Sequence, residues 1–259
     1  MRFMLKILLR GCNGRMGRAV SAICQGRPDV RIAAGLDMVP GSHFDYPVYA
    51  GPSEFQGQAD AAIDFSRPEG VEVFLDHCVR RGLPVVLSTT GFDAEDQTRI
   101  EAASHRIPIF QSGNMSLGVN LLADLVRRAV SVLGEEYDIE IIERHHNQKL
   151  DAPSGTAYML FGAAAEALPY GPEPIYDRHE RRAARPAREI GMHAVRGGTI
   201  VGEHEVVLAG RDEIITLSHS ALSREVFAVG ALRAARFVAD KPPGLYSMRD
   251  LVTETRGVE

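Results

Sequence analysis

Short apolar runs alternate with helical patterns through residues 1–115, and this alternation restricts the fold more than any other feature of the chain. The pattern predicts strands over residues 4–9, 30–35, 61–65, 84–88 and 107–111, and helices over residues 15–25, 69–81 and 93–104. Glycine-bounded apolar runs with amphipathic crossovers are typical of a parallel sheet covered on both faces. We therefore expect a doubly wound α/β domain.

The pattern changes after Gln111. Elements predicted from there are a long amphipathic helix over 116–133, a strand over 137–143, strand-like runs over 193–219 with a hairpin turn at 210–212, and a last helix over 224–238. Residues 169–189 are rich in proline, arginine and glutamate, which predicts an exposed loop. We expect its arginine-rich part, residues 179–188, to be solvated. The second half is therefore expected to be mixed or antiparallel, and the last helix can return to pack on the first half.

Composition excludes several classes of protein. The net charge of −5 argues against a general nucleic-acid binder, and no apolar run reaches the roughly 18 residues of a membrane span. Cys12, Cys24 and Cys78 have no ligand-like spacing, which favours a reduced, cytoplasmic compartment. We predict no metal site, because no cysteine or H-E-x-x-H pattern accompanies the histidines.

A glycine turn lies between the first predicted strand and helix. In KILLRGCNGRMGRAV, Gly11, Gly14 and Gly17 have the spacing G-x-x-G-x-x-G. Glycine allows a tight turn close to a pyrophosphate, and the helix N-terminus offers N–H groups to it, with Arg15 adding positive charge. The turn predicts a dinucleotide site; the alternative is a plain strand-to-helix turn.

Asp37 lies at the end of the second predicted strand, where an acid can accept hydrogen bonds from an adenosine ribose. Met38 follows it, at a position where an arginine would help to hold a 2′-phosphate. The pair favours NADH, with NADPH possible. The alternative for Asp37 is a solvated loop aspartate.

The segment ERHHNQKLDAPSGTA, residues 143–157, concentrates polar chemistry. We expect Pro153 to open a helix that reaches residue 168, with Asp151 near its cap. The backbone and hydroxyls of Ser154, Gly155 and Thr156 would then bind a carboxylate, while Lys149 and the two imidazoles supply donors and a proton. The alternative is a loop whose polar groups only cap a helix and face solvent.

This segment resembles the signature of the 4-hydroxy-tetrahydrodipicolinate reductase (dihydrodipicolinate reductase) family. The resemblance covers nearly the whole chain and includes the motifs GCNGRMG (11–17), DFS (64–66), TTGF (89–92), GNMSLGVN (113–120), RGG (196–198) and GEH (202–204). The His-His-x-x-Lys string with DAPSGTA is highly specific, whereas the glycine turn alone is not.

The resemblance implies that a nicotinamide hydride reduces a cyclic dicarboxylate imine-type substrate to tetrahydrodipicolinate in lysine and diaminopimelate biosynthesis. It implies that His145 is the acid/base residue and Lys149 a proton donor. Substrate-binding residues are expected to be His146, Ser154, Gly155, Thr156 and Arg233. The alternative for Arg233 is an exposed helix charge.

Cofactor contacts implied by the resemblance come from the glycine turn and from later loops. They are Gly11, Cys12, Asn13, Gly14, Arg15, Met16, Gly17, Asp37, Ser66, Ser88, Thr90, Gly113, Asn114 and Met115. Two departures stand out: Ser88 occupies the place of the usual first glycine of G-T-T-G, and Met38 stands where some members carry a basic residue.

The resemblance also implies a fold and an assembly. A Rossmann-like dinucleotide-binding domain would comprise residues 1–115 and 224–259, and an α+β substrate and oligomerisation domain with a mixed sheet would comprise 116–223, assembled as a homotetramer. Two alternatives stay open. One is another two-domain NAD(P) oxidoreductase such as a semialdehyde dehydrogenase, which needs a nucleophilic cysteine after Cys78. The other is a catalytically inactive dinucleotide-sensing regulator.

Overall fold

The computed structural model describes residues 4–39, 41, 44–179 and 181–254. The chain divides into two compact units, Met1–Leu117 with Glu225–Glu259, and Gly118–Arg224. In chain order the strands are β1 (Leu5–Arg10), β2 (Val30–Leu36), β3 (Val48–Tyr49), β4 (Ala61–Asp64), β5 (Val85–Leu87), β6 (Pro108–Gln111), β7 (Asp138–His145), β8 (Glu173–Ile175), β9 (Glu189–Arg196), β10 (Gly202–Ala209), β11 (Ile214–Ala221) and β12 (Gly244–Tyr246). The α-helices are α1 (Arg15–Cys24), α2 (Val71–Arg81), α3 (Ala94–Ser104), α4 (Leu117–Leu133), α5 (Gly155–Ala165), α6 (Glu225–Val238) and α7 (Met248–Glu254).

Within the described residues, the first unit is built on a seven-stranded sheet with the order β12-β6-β5-β4-β1-β2-β3. Every neighbouring pair in this sheet is parallel. Helices α1, α6 and α7 cover one face, and α2 and α3 cover the other. The successive residues Ile7, Leu8 and Leu9 are all fully buried, each burial contributing about 1.5–3 kcal/mol. The predicted doubly wound domain is confirmed, and the last predicted helix returns to it as α6.

The predicted bounds in the first unit agree with the structure to within two residues. Three elements were not predicted: β3, β12 and α7. The two strands have only two and three residues, so their hydrogen bonds to neighbouring strands define them rather than any apolar periodicity.

In the part of the chain that the structure describes, the second unit has a five-stranded sheet with the order β11-β10-β7-β9-β8. The pairs β10–β11 and β10–β7 are antiparallel, whereas β7–β9 and β8–β9 are parallel, so the predicted mixed sheet is confirmed. Alternate residues of β7 and β10 are buried beneath α4 and α5, as a period of two requires. The predicted hairpin turns at residues 210–213, where the Gly210 N–H donates to the Glu213 carbonyl.

The predicted solvated loop is wrong in one respect. Strand β8 lies within the loop, and three of the loop arginines pair with carboxylates of the sheet. Arg178 and Arg181 donate to Glu189, which is buried, and Arg185 donates to Asp138 at 2.6 Å. A buried carboxylate requires such partners, and sequence periodicity does not reveal them. Residue 180 of this loop lies outside the described residues.

The glycine turn gives a test of the packing in the first unit. A Cβ at Gly17 would lie 2.2 Å from the Gly11 carbonyl oxygen, so Gly17→Ala should lower the free energy of unfolding by about 2 kcal/mol or more. Gly162, also helical, has nothing within 4 Å of the equivalent position, so Gly162→Ala should leave the protein equally or slightly more stable. Urea unfolding followed by circular dichroism measures both; equal losses would contradict the prediction.

Candidate active site

The glycine turn joins the carboxyl end of β1 to α1. Gly11 has φ +76°, and a Cβ there would lie 2.8 Å from the Phe65 carbonyl oxygen. The N-cap of α1 is Gly14, which has no side chain with which to cap the helix, and the first turn has no acidic residue. The N–H groups of the first turn are therefore suited to an external anion such as a nucleotide phosphate, with the exposed Arg15 beside them.

Asp37 lies beside the glycine turn, directly after β2. Its Oδ2 accepts from the Asn13 N–H at 3.0 Å, and its Oδ1 accepts from the Val39 N–H at 3.0 Å. Asn13 also donates its side-chain amide to the carbonyls of Val39 and Gly41, both at 2.9 Å. Each carboxylate oxygen retains acceptor capacity, as ribose hydroxyls require. Met38 is 93% exposed.

The loops after β4, β5 and β6 supply the remaining predicted cofactor residues. Strands β2 and β3 lie on one side of β1, and β4 to β6 lie on the other side. The order in which the chain adds strands to the sheet therefore reverses between β1 and β4. Ligands of such sheets bind outside the carboxyl ends of the strands at this switch point. The loop residues here are Ser66, Ser88, Thr90, Gly113, Asn114 and Met115, all at that edge.

An ion pair fixes the switch point. Asp64, at the end of β4, is fully buried and accepts from Arg10 Nη1, at the end of β1, at 2.8 Å. Its other oxygen accepts from the Ser66 hydroxyl at 2.6 Å and the Ser66 N–H at 2.9 Å. The Ser66 hydroxyl therefore already has an internal acceptor and shapes the loop.

Two predicted cofactor residues turn their side chains inward. Cys12 and Met115 belong to the apolar core of the first unit, because side chains at these turn positions fill the space beneath the sheet edge. Burial raises the pKa of the Cys12 thiol to about 11. Only the backbone of these two residues can contact a ligand. The hydroxyl of Ser88 is buried without a partner among the described residues.

Arg233 is not brought to the glycine turn. It lines a groove of about 350 Å³ together with Leu5, Asp29 and Val30, at the amino ends of β1 and β2. The opposite, carboxyl ends of these strands carry the glycine turn and Asp37. Within the first unit, Arg233 therefore lies at the opposite end of the strands from the predicted cofactor residues, and its predicted substrate contact is not supported there.

In the second unit, the end of β7 carries the predicted acid/base residue. His145 and Glu143 are two residues apart on a strand and face the same side. His145 Nδ1 lies 2.6 Å from Glu143 Oε2, and a Cβ on Gly202 would lie 3.1 Å from His145 Nε2. Because a carboxylate only accepts hydrogen bonds, Nδ1 carries a proton and Nε2 is the nitrogen left for chemistry.

Glu143 is fully buried and forms a bidentate pair with Arg196 of β9, with both N–O distances 2.7 Å. Burial raises the pKa of Glu143, but the hydrogen bonds from Arg196 and His145 outweigh it, so the net pKa lies below the usual range and the group is ionised. Burial lowers the pKa of His145, and Glu143 opposes that lowering.

The start of α5 differs from the prediction. Ser154, not Asp151, is the N-cap: its hydroxyl accepts from the Ala157 N–H at 3.2 Å, and Pro153 precedes the helix. The same hydroxyl lies 2.8 Å from His204 Nε2. Burial, then the charge of His145, lowers the pKa of His204 to about 4, so His204 is neutral and shares one hydrogen bond with the serine hydroxyl.

Ser154 therefore cannot offer its hydroxyl to a substrate, which corrects the sequence-based expectation. It is buried, and its N–H donates to Glu143 Oε1 at 3.0 Å. Gly155, the first residue of α5, is exposed and Thr156 is half-buried, so the predicted carboxylate contact of this turn stays a prediction for these two residues.

Lys149 and His146 lie on the loop after β7. The Lys149 ammonium is 2.8 Å from Asp151 Oδ1, and this contact lowers the pKa of Asp151. Arg224 Nη2 donates to His146 Nε2 at 3.2 Å. His145 and His146 have different partners, as adjacent strand-end residues must.

Three residues stood in the quoted motifs without a role: Glu143, Arg196 and His204. The available signal for Glu143 was its place at the end of the predicted strand, two residues before His145. Arg196 and His204 come from other strands, and only the pairing of β7 with β9 and β10 brings them here. The edge-to-face contact of His145 with His204, at 5.1 Å between ring centroids, completes the cluster.

Among the described residues, no group of three or more histidine, cysteine, aspartate or glutamate side chains is arranged to hold a metal ion. No helix in the same residues has the length and apolar character needed to cross a bilayer.

The chain matches two family descriptions: "Dihydrodipicolinate reductase, N-terminus" over residues 5–115 and "Dihydrodipicolinate reductase, C-terminus" over residues 118–252. It is 49% identical over 249 residues to a 4-hydroxy-tetrahydrodipicolinate reductase of Caldanaerobacter subterraneus subsp. tengcongensis, covering 96% of this chain and 98% of the relative. A 4-hydroxy-tetrahydrodipicolinate reductase of Caulobacter vibrioides is 44% identical over 257 residues, covering 96% of this chain and 97% of the relative.

Among solved structures, the chain resembles a dipicolinate-bound dihydrodipicolinate reductase from Paenisporosarcina sp. TG-14. The TM-score is 0.80 at 24% identity, covering 95% of this chain and 98% of that one. At this identity the likeness establishes the fold.

The contribution of the Ser154–His204 hydrogen bond to the free energy of unfolding can be compared with that of a helix cap alone. Ser154→Ala removes a cap worth about 1 kcal/mol and also leaves a buried imidazole unpaired, for a total loss of about 2–4 kcal/mol. Asp93→Ala removes only the exposed cap of α3, which accepts from the Asp96 N–H at 2.8 Å, and should cost about 1 kcal/mol. Chemical denaturation compares the two; equal losses would show that the His204 contact contributes nothing.

Proposed function

The chain belongs to the dihydrodipicolinate reductase family, and we propose that it reduces 4-hydroxy-tetrahydrodipicolinate to tetrahydrodipicolinate with NADH or NADPH, in lysine and diaminopimelate biosynthesis. One observation carries the assignment of the site: Glu143 links the imidazole of His145 to the start of α5. The segment from Glu143 to Ala157 also contains the Lys149 ammonium, so the proposed acid/base group, a cation and a helix N-terminus occur within fifteen residues.

The chemistry of the reaction fits these groups. The substrate is a dianion, and the first-turn N–H groups at Gly155 and Thr156 suit one of its carboxylates, with His146 as a further donor. Hydride addition leaves a carbanion or enamine that needs a proton. His145 supplies it through Nε2, and Lys149 is a second donor whose charge also favours the dianion.

The glycine turn fits a dinucleotide, since the N-cap of α1 is a glycine without a capping side chain and Gly11 and Gly17 allow close backbone approach. The turn Gly11–Gly17 would hold the pyrophosphate and Asp37 the adenosine ribose, with the loops after β4 to β6 nearer the nicotinamide. When bound, the reduced nicotinamide supplies the hydride. We propose NADH as the favoured form, because the exposed Met38 offers no charge to a 2′-phosphate.

We further propose that residues 1–115 and 224–259 bind the dinucleotide, that residues 116–223 bind the substrate and mediate assembly, and that the enzyme is a cytoplasmic homotetramer. The assembly is supported by the sheet of the second unit. Val195 and Ile214 are exposed on the face opposite α4 and α5, and β11 is an edge strand. Such faces and edges favour pairing with another chain.

A semialdehyde dehydrogenase is disfavoured by the cysteines. All three are buried, and burial raises the pKa of each thiol, to about 11 for Cys12 and Cys24 and higher still for Cys78. A nucleophilic cysteine needs the opposite environment. The dinucleotide-sensing regulator remains the alternative that the first assay excludes.

The assay follows the loss of reduced-nicotinamide absorbance with substrate made from pyruvate and aspartate semialdehyde by the synthase. We expect rapid oxidation of NADH, and a fall in kcat of about 100-fold or more in Lys149→Ala, since general acids contribute about 10²–10⁴-fold. Lys241→Ala, which removes another ion-paired lysine, should retain wild-type turnover. Cofactor binding without any oxidation by the wild-type protein would favour the sensor instead.

The cofactor preference can be tested at Met38. Met38→Arg should raise kcat/KM for NADPH relative to NADH by about tenfold, because a guanidinium pairs with a 2′-phosphate that NADH lacks. Met38→Gln, which adds polarity without charge, should change the ratio much less. An unchanged ratio in the arginine variant would show that the 2′ position of the ribose does not approach residue 38.

A further inference from the structure

The Glu143 carboxylate accepts four hydrogen bonds from three different segments of the second unit. One carboxylate oxygen accepts from His145 Nδ1 at 2.6 Å and from Arg196 Nη1 at 2.7 Å. The other accepts from Arg196 Nη2 at 2.7 Å and from the Ser154 N–H at 3.0 Å. A fully buried carboxylate thus bonds at once to the imidazole, to a neighbouring strand and to the N-cap of α5.

Arg196 extends the same connection to the Lys149 loop. Its Nη2 also donates to the Asp151 carbonyl at 2.7 Å, and the Asp151 carboxylate holds the Lys149 ammonium at 2.8 Å. The backbone directly after β9 adds a further bond, because the Gly197 N–H donates to the His145 carbonyl at 2.9 Å.

We propose that the Glu143–Arg196 ion pair positions the acid/base histidine of the reductase and sets its tautomer, and that it holds the substrate-binding start of α5 and the Lys149 loop in register with that histidine. The inference rests on the proposed function and deepens it. Glu143 and Arg196 are positioning residues: they act through His145, through the Ser154 amide and through the Asp151 carbonyl.

The charge balance supports this role. An isolated carboxylate in this interior would take up a proton and become a donor, which would allow the opposite histidine tautomer. The guanidinium prevents this by occupying both oxygens, so Glu143 stays an acceptor and His145 Nδ1 stays the donor. Nε2 is then the only ring nitrogen that can exchange a proton with a ligand.

The charged and titratable groups that face His145 come from four segments of the second unit. Glu143 lies on its own strand, Lys149 on the following loop, Arg196 on β9 and His204 on β10. Among these groups Glu143 is the only one that stabilises the imidazolium, so its removal has a definite sign. Glu143→Gln should lower the pKa of His145 further, and a turnover step that needs the protonated form should then be lost at lower pH than in the wild type.

The test compares Glu143→Gln with a matched control on the same strand. Glu140 also accepts from a histidine and two arginines, namely His193 at 2.7 Å, Arg178 at 2.8 Å and Arg185 at 3.1 Å, but on the other face of the sheet. Glu140→Gln should therefore affect stability or assembly, which unfolding and gel filtration measure, without moving the pH profile of kcat. Glu143→Gln should lower kcat by about 10–100-fold and move its high-pH limb to lower pH.

A second readout does not depend on turnover. NMR of protein labelled at histidine Cε1 follows the titration of His145, identified by the signal that is missing in His145→Asn. We expect this titration at lower pH in Glu143→Gln and near the wild-type position in Glu140→Gln. Glu143→Asp, which keeps the charge but shortens the reach, should keep the titration closer to the wild type than Glu143→Gln.

Arg196→Lys tests the pair if Glu143→Gln fails to fold. It keeps the charge but loses the fork that reaches Glu143 and Asp151 together, so KM for the substrate should rise about tenfold or more. Unchanged His145 titration and pH profile in Glu143→Gln, or wild-type kinetics in Arg196→Lys, would overturn the proposal. If the wild-type protein shows no turnover but the His145 titration shifts as expected, the reductase assignment fails while the positioning of His145 by Glu143 is upheld.

Discussion

A carboxylate removed from water requires a cationic or hydrogen-bonding partner, and each unit meets this constraint at the end of a functional strand. In the first unit, buried Asp64 pairs with Arg10; in the second, buried Glu143 pairs with Arg196. Each pair joins two neighbouring parallel strands, β1 with β4 and β7 with β9. The functional loops leave the sheets from these fixed points.

In both units the remaining lone pairs of the carboxylate shape the next segment of the chain. Asp64 accepts the amide and hydroxyl of Ser66, and Glu143 accepts the amide of Ser154. A single desolvated carboxylate thereby holds the backbone of the following segment, because its remaining oxygen lone pairs need donors and a nearby N–H group supplies one.

Much of the fold could be predicted, because buried parallel strands and half-buried antiparallel strands have different apolar periods. His145 and Lys149 were selected from their local pattern and from the family resemblance, and their catalytic roles stay predictions. The hydroxyl of Ser154 was assigned to a substrate, but it caps α5 and bonds to His204, fifty positions away. The inward side chains of Cys12 and Met115 depend likewise on packing between distant segments, which a local pattern does not encode.

The sequence by itself determined the two architectures, the glycine turn and the order of chemical groups along the segment from Glu143 to Thr156, because these depend on periodicity and on residue type. Only the tertiary structure decided which of those groups are free to react. Strand pairing brings Arg196 and His204 to the end of β7, and the need to neutralise and hydrogen-bond buried groups then assigns a partner to each. The same pairing leaves His145 with Nδ1 bonded to Glu143, so Nε2 is the ring nitrogen that we propose for proton exchange with a ligand.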